Sequence, residues 1–588
     1  MELQFLYQIL DIQLEKGALT ACLARREDKK SWTEYSTLQC KDIAMKTARG
    51  LLRLGIKPGD KVAIISTSNR PEWHFVDHAC MHTGIIDVPI YPTISPAEYE
   101  YIFNHAEINY VFLSDRMLYK KINQIKDNIP SLKGIFTFDD VDGATSWREI
   151  WVEEDANLDK VIAKYKGSIT EDQMCTIIYT SGTTGHPKGV MLSHKNIVSN
   201  IKDNLHLVPV QSGDITLSFL PLCHVFERTL NYTYMYAGAS IYYADGLESI
   251  SQNIADIRPH FFATVPRLME KVYEAIVKKG KDLKGIQKQI FDESLTLSVS
   301  MPLGKEKSLL QLAKWALFDK LVYSKWRIAL GGRVKAIICG SAPLQARLAT
   351  MFNNGGIMVL EGYGLTETSP VLSVNPMERR KVRAGVVGKI LPSVQIKIAQ
   401  DGEIMVKGPN VMIGYYKNPD ETAKVFTDDG WFLTGDIGEF TDEGYLKITD
   451  RKKELFKTSG GKYVAPAPIE NLLKESQYIE QVALVGDGRK FVAALIVPNF
   501  ENLKPWCKQN NITATKHEDI INTVEVKKFF MDIVNGYNVN FGKVEQVKMI
   551  HLLSKEWTTE SGELTPTMKL KRKVIKDKYK DIIEAFYD

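Results

Sequence analysis

The segment from Thr176 to Leu192 constrains this chain more than any other. An apolar run, Thr176-Ile177-Ile178, leads into Tyr179-Thr180-Ser181-Gly182-Thr183-Thr184-Gly185-His186-Pro187-Lys188-Gly189, and a second, Val190-Met191-Leu192, leads out. The pattern predicts two buried strands joined by a polar loop. A loop held at both ends by buried elements cannot wander. Gly182, Gly185 and Gly189 let backbone N–H groups converge on an anion without Cβ obstruction, while Thr180, Ser181, Thr183 and Thr184 add hydroxyl donors and Lys188 adds charge. That inventory suits a polyphosphate. The Walker form GxxxxGK[ST] is excluded, because Pro187 stands at its second glycine and Gly189 follows the lysine. Taken alone, such a run would also serve as a Ser/Thr/Gly-rich surface turn, so the remainder of the chain has to decide.

At 588 residues the chain exceeds what one hydrophobic core usually supports, and two or more domains are expected. Seventy-five basic against seventy-one acidic residues give a net charge of +4, which makes no case for nucleic acid. The seven cysteines are scattered without a CxxC pair, as suits a reducing cytoplasm. The opening MELQFLYQILDIQLEKG lacks a basic leader and reads as an amphipathic helix, and no window of about 18 uninterrupted apolar residues predicts a transmembrane helix. Residues 1–170 alternate helical periods, such as Ile43 to Leu54, with β-rich runs at Val62–Ile65 and Tyr110–Leu113, which is α/β grammar.

Further polar groups emerge at the ends of apolar runs, where ligand sites of open α/β sheets lie. They are Leu220-Pro221-Leu222-Cys223-His224-Val225-Phe226-Glu227-Arg228, Gly340-Ser341-Ala342-Pro343, Glu361-Gly362-Tyr363-Gly364-Leu365-Thr366-Glu367-Thr368, and Leu433-Thr434-Gly435-Asp436. A basic run, Asp450-Arg451-Lys452-Lys453-Glu454, precedes Gly460-Gly461-Lys462, and Leu564-Thr565-Pro566-Thr567-Met568-Lys569-Leu570-Lys571-Arg572 lies near the end. Each has an ordinary reading as a turn, a core histidine or a solvated face. In this order, however, they resemble the motifs of the adenylate-forming (AMP-binding) superfamily, and LPLxHxFER, GYGLTET and TPTxKxKR resemble its long-chain acyl-CoA synthetases.

The resemblance implies an α/β fold with a large multi-layer N-terminal domain of the acyl-CoA synthetase type (residues 1–449), a hinge (450–453) and a small mobile α/β C-terminal domain (454–588). It implies a long-chain fatty acid–CoA ligase that uses ATP, CoA and Mg²⁺. ATP would meet Thr180, Ser181, Gly182, Thr183, Thr184, Gly185 and Lys188; Gly340, Ser341, Ala342 and Pro343 would lie along adenine, with Glu361, Gly362, Tyr363 and Gly364 beside it and Tyr363 stacking. Thr366 would donate to the α-phosphate, Glu367 would hold Mg²⁺, Asp436 and Arg451 would bind ribose, and His224 would stand near the substrate carboxylate. Lys569 matches the adenylation lysine; Met568 replaces the glycine usual before it, which leaves its register against Lys571 open. Lys453 matches the pivot, and Gly460, Gly461 and Lys462 the loop on the CoA side. Two other classes remain open at this point: an acyl-AMP ligase loading a carrier protein, and a catalytically silent acyl- or nucleotide-binding protein. Chain-length preference and oligomeric state are left open, as is peripheral association with the inner face of a membrane.

Overall fold

Apolar runs rich in Val and Ile fold here into two large sheets whose central strands are parallel. The computed structural model describes residues 1–27, 31–180, 187–452, 454–565 and 569–588. The chain forms two units: Met1–Ile396, Val406–Phe432 and Thr441–Leu446 make the first, and Lys397–Met405, Leu433–Phe440 and Lys447–Asp588 the second.

In the first unit an eight-stranded sheet runs in the order Gly414–Tyr415, Lys188–Ser193, Met174–Thr180, Ile86–Ile90, Lys61–Ile65, Ile108–Leu113, Gly134–Thr137, Thr145–Ser146. Its inner strands are buried on both faces, which is why their sequences are continuously apolar instead of alternating. A nine-stranded sheet is centred on Ala336–Cys339, Phe261–Thr264 and Ile215–Ser218, all parallel. The expected strand–loop–strand is present. Met174–Thr180 and Lys188–Ser193 pair antiparallel, with Thr180 opposite Lys188 and Tyr179 opposite Gly189. A Cβ on Gly189 would come within 2.8 Å of Ile177, so the ladder there accepts only glycine without a shift.

Two helices fill the space between the sheets. Pro71–Thr83 starts with proline at its first turn and ends at Gly84, whose φ of 68° needs no Cβ. All of its residues are buried, and it packs against strands of both sheets. Val225–Ala237 is nearly as enclosed. A helix buried all round would ordinarily be apolar throughout, yet these two carry His74, Asp77, His78, His82, Glu227, Arg228 and Asn231. Pairing within the core makes the charges of Asp77 and Arg228 tolerable, while His78 and His82 lie there without a hydrogen-bond partner among the described residues. Arg228 donates to Asp77 at 2.7 Å, to Asp87 on Ile86–Ile90, and to Thr176 on Met174–Thr180 at 2.8 Å, while Tyr232 donates to Asp77 at 2.7 Å. Burial opposes both carboxylates; Arg228 nevertheless holds Asp77 well below the usual range, while burial pushes Asp87 well above it, so the group as a whole stays close to neutral.

The second unit holds a three-stranded sheet, Ile479–Val485, Val492–Pro498 and Val547–Leu552, covered by Pro466–Leu473 and Val524–Asn538. Most of a four-stranded sheet, Gln395–Ile398, Glu403–Lys407, Phe432–Phe440 and Leu446–Arg451, also belongs to it. Among the described residues no helix is long and apolar enough to cross a membrane.

Burial pushes the His78 imidazole down to about 4, and among the described residues neither ring nitrogen has a hydrogen-bond partner. An unfolded histidine titrates near 6.5, so the unfolded chain binds this proton first as pH falls. The stability due to the neutral ring is therefore complete above about pH 6.5 and is lost as pH drops toward 4. His78→Leu should flatten the pH dependence of the unfolding midpoint in that window by about one proton relative to the parent. Thermal melts of both proteins across the window check this; parallel curves would show that His78 does not titrate there.

Candidate active site

The site of the first unit is assembled by the opening turn of the helix Val225–Ala237. His224 caps it: its Nδ1 accepts from the Phe226 backbone N–H at 3.2 Å, so the neutral ring carries its proton on Nε2. Phe226 packs against the backbone of Gly340, where a Cβ would stand 3.1 Å from the ring. Arg228 reaches Thr176, on the strand that enters the phosphate-type loop. Thr229 donates to the Ser369 carbonyl at 3.2 Å, at the end of the Thr366–Thr368 turn. Contacts to Thr176, Gly340 and Ser369 thus all start from one helix end.

Gly340, Ser341, Ala342 and Pro343 leave the strand Ala336–Cys339 in a turn where Ser341 takes a φ of 70°, a value L-residues rarely adopt. Glu361 sits in the neighbouring strand opposite Cys339 and is buried. Burial pushes its carboxyl up to about 8, against backbone N–H groups of Gly385 and Leu344 that favour its ionised form. The polar segment Glu361–Thr368 is not a single loop. Glu361, Gly362, Tyr363 and Gly364 are strand, pairing antiparallel with Val371–Val374 through an irregularity at Tyr363/Gly364, and only Thr366–Thr368 turns. A Cβ on Gly364 would lie 1.8 Å from the Pro370 carbonyl oxygen, so this close approach requires glycine.

Thr366 and Glu367 are then braced by a segment that sequence reading passed over. Asn410 donates to the Thr368 carbonyl at 2.9 Å, Met412 N–H to the Glu367 carbonyl at 2.8 Å, and the Tyr415 hydroxyl to Glu367 Oε1 at 2.9 Å. Lys188 stands 5.0 Å over the Tyr415 ring and is ion-paired with Glu421. The hydrogen bond from Lys188, with Lys424 beside it, holds Glu421 down to about 2. The available signal was Gly414-Tyr415-Tyr416-Lys417-Asn418-Pro419, two aromatics between a glycine and a helix-opening proline. Of the loop itself, Thr180 and Lys188 face each other at its base. Ser181, Gly182, Thr183, Thr184 and Gly185 lie outside the described residues.

The second unit carries its own group. Asp436 is buried within the strand Phe432–Phe440 just after Gly435, whose φ is 73°. Arg451 Nε donates to Asp436 Oδ1 at 3.1 Å. Lys452 pairs with both Asp401 and Glu403 at 2.6 Å, and Glu403 accepts from Gly435 N–H at 2.8 Å, fixing the backbone on either side of Asp436 and Arg451. Gly460, Gly461 and Lys462 form the exposed turn between Phe456–Lys457 and Tyr463–Val464. Lys569 is half-buried: its N–H donates to Thr565 Oγ1 at 3.0 Å, and Leu564 bridges Leu570. Arg572, just beyond, donates to Glu470 at 2.7 Å and to Glu454 at 3.0 Å. Lys453, the expected pivot, lies outside the described residues.

The family model described as AMP-binding enzyme matches residues 13–416, and one described as AMP-binding enzyme C-terminal domain matches 454–588. The long-chain-fatty-acid–CoA ligase FadD15 of Mycobacterium bovis is 33% identical, over 95% of this chain and 93% of the relative. Long chain acyl-CoA synthetase 4 of Arabidopsis thaliana is 31% identical over 99% of this chain and 91% of its own length. Among solved structures, ATP-bound MatB from Rhodopseudomonas palustris superposes with a TM-score of 0.71 at 22% identity, covering 99% of each chain. The adenylation domain of a carboxylate reductase from Mycobacterium chelonae gives 0.76 at 22% identity, covering 99% of this chain and 91% of that one.

The glycine constraint is directly testable. Gly364→Ala forces a methyl against the Pro370 carbonyl and should destabilise the first unit by about 1–3 kcal/mol, the usual cost of overpacking. Urea unfolding read by tryptophan fluorescence measures it; an unchanged midpoint would mean that the Tyr363/Gly364 irregularity absorbs the methyl.

Proposed function

The chain belongs to the AMP-binding enzyme family, and on that premise we propose that it is a long-chain fatty acid–CoA ligase. A fatty carboxylate oxygen attacks the α-phosphorus of ATP and pyrophosphate leaves; the CoA thiol sulfur then attacks the acyl carbon of the adenylate and AMP leaves. The observation that carries this reading is likeness to ligases of that name over nearly the full chain, together with the meeting of their motifs at one helix end.

Catalysis of the first step is positioning and charge stabilisation, without a nucleophilic side chain. His224, with Nδ1 engaged by its own helix, directs Nε2–H to the fatty carboxylate. Thr366 donates to the α-phosphate, the loop from Thr180 to Lys188 receives the outer phosphates, and Tyr363 with the Gly340–Pro343 turn receives adenine. Asp436 accepts from the ribose hydroxyls, with Arg451 beside it. Glu367 suits a Mg²⁺ ion carried in by the nucleotide: Tyr415 orients one of its oxygens, and carboxylate plus phosphate oxygens are the donor set that ion takes. When bound, the ion neutralises phosphate charge. Among the described residues no three His, Cys, Asp or Glu side chains form a metal cage of their own.

Residues 1–449 act as the nucleotide- and acid-binding domain and 454–588 as a mobile domain, pivoting at 450–453 with Lys453 as the moving residue. Rotation exchanges Lys569, which serves adenylation, for the loop Gly460-Gly461-Lys462, which serves CoA. The cytoplasmic, inner face of a membrane is the working location, since long acyl chains reside there.

AMP release from palmitate and ATP, with and without CoA, tests the activity; turnover that needs no CoA would overturn the ligase assignment. Glu367→Gln should abolish Mg²⁺-dependent pyrophosphate release without lowering the melting temperature, whereas full activity at ordinary Mg²⁺ would remove the metal assignment. The half-reactions separate the two lysines. Lys569→Ala should slow adenylate formation by about 100- to 1,000-fold and spare thioester formation from supplied acyl-adenylate. Lys453→Pro, which fixes φ at the pivot, should do the reverse. Equal damage to both steps in both variants would refute the rotation.

A further inference from the structure

The helix Leu309–Phe318 has a sequence, LLQLAKWALF, that belongs in a core, yet Phe318 alone is buried. Leu309 is 87% exposed, Leu310 68% and Ile328 69%, with Leu312, Leu317 and Leu321 exposed as well. Leu310, Ala313 and Leu317 fall at i, i+3 and i+7 on one face, and Leu309, Leu312 and Ala316 run beside them. Single exposed leucines are ordinary, but a continuous apolar row is a docking face.

The face is rigidly presented. Trp315 Nε1 donates to the Asn354 carbonyl at 2.7 Å, and the Asn354 amide donates in turn to the carbonyls of Ser298 and Met301. Phe318, Val322, Tyr323 and Trp326 enter the core beside Met351 and Phe352. The inner side of the helix is thereby pinned while its leucines face outward.

Charge selects the occupant. Residues 301–329 carry Lys305, Lys307, Lys314, Lys320, Lys325 and Arg327 against Glu306 and Asp319, a surplus equal to the +4 of the entire chain. Asp319 is engaged by Arg327 through two hydrogen bonds, of 2.6 and 3.0 Å. Lys305, Lys314, Lys320 and Lys325 are exposed. A second copy docked face to face would set this surplus against itself, whereas an anionic bilayer matches it. Lys314 stands four residues after Leu310 and three before Leu317, so its alkyl stem can follow the leucines while its amine reaches a phosphate.

We propose that the helix Leu309–Phe318, continued to Ile328, is a monotopic docking surface for an anionic lipid bilayer. Leucines sit at the acyl boundary and lysines at headgroup phosphates. It deepens the ligase reading, on which its purpose rests: an enzyme for water-insoluble acids is held where those acids partition.

The test is co-sedimentation of the full-length protein, without ATP or CoA, with vesicles of phosphatidylcholine alone or with one third phosphatidylglycerol. The parent should bind the anionic vesicles and bind the neutral ones far less. Combined Leu309→Gln, Leu310→Gln and Leu317→Gln should lower binding on the order of a hundredfold. Lys314→Glu, Lys320→Glu and Lys325→Glu together should do so on the anionic vesicles only, by roughly the same factor. Sedimentation velocity of the parent should report a monomer. Absence of vesicle binding by the parent, parent-like binding by either triple variant, or a dimer that the leucine variant dissolves would each overturn the proposal. Octanoate, water-soluble and presented without lipid, should be activated equally by all three proteins, which shows that the variants fold. Absence of CoA-dependent AMP release from detergent-dispersed palmitate in the parent would count against the ligase reading alone.

Discussion

One buried guanidinium holds the first unit together. Arg228 bonds Asp77 on the helix between the sheets, Asp87 on one strand and Thr176 on the strand that enters the phosphate-type loop. Removing either partner of such a pair typically costs about 3–5 kcal/mol, because an unpaired charge stays buried. A hydrophobic replacement could pack as well. It could not hold the distances. Directional hydrogen bonds set the helix register to the residue, and that register places Phe226 against Gly340 and Thr229 against the Ser369 carbonyl. The core polarity is therefore tied to the geometry of the site, not to stability alone.

Around that point, geometry is carried by backbone more than by side chains. Gly364 allows its strand to meet the Pro370 carbonyl, and Gly189 allows the loop's exit strand to lie on Ile177. Tyr415 and Asn410 then hold Glu367 and Thr368 from the opposite side. The pairing of Lys188 with Glu421 leaves a cation at the loop base that is already neutralised within the protein, so a polyphosphate there competes with a carboxylate.

Burial also separates the acids by role. Glu361 and Glu227 are pushed up to about 8 by desolvation, while Glu421 on the surface is held down to about 2 by its lysines. The buried pair act as hydrogen-bonding groups of the frame. Glu367 is partly exposed, where a carboxylate can meet a cation.

From sequence alone the α/β class, the strand–loop–strand hairpin and the order of the motifs were all legible, because each rests on local periodicity, turn chemistry or a run of residues read in one piece. Four things needed the folded chain. The strand character of Glu361–Gly364 depends on pairing with Val371–Val374, and glycine-rich wording conceals it. The roles of Tyr415, Asn410 and Glu421 arise from contacts 48, 42 and 233 residues away in sequence. Arg228 read as one letter of a motif, and only the packing of two helices between two sheets made it the partner of Asp77 and Asp87. The tract from Leu309 to Trp326 is rich in apolar residues, and the fold puts its leucines outside. Local pattern specifies which residues are apolar; which of them find a neighbour is settled by long-range packing.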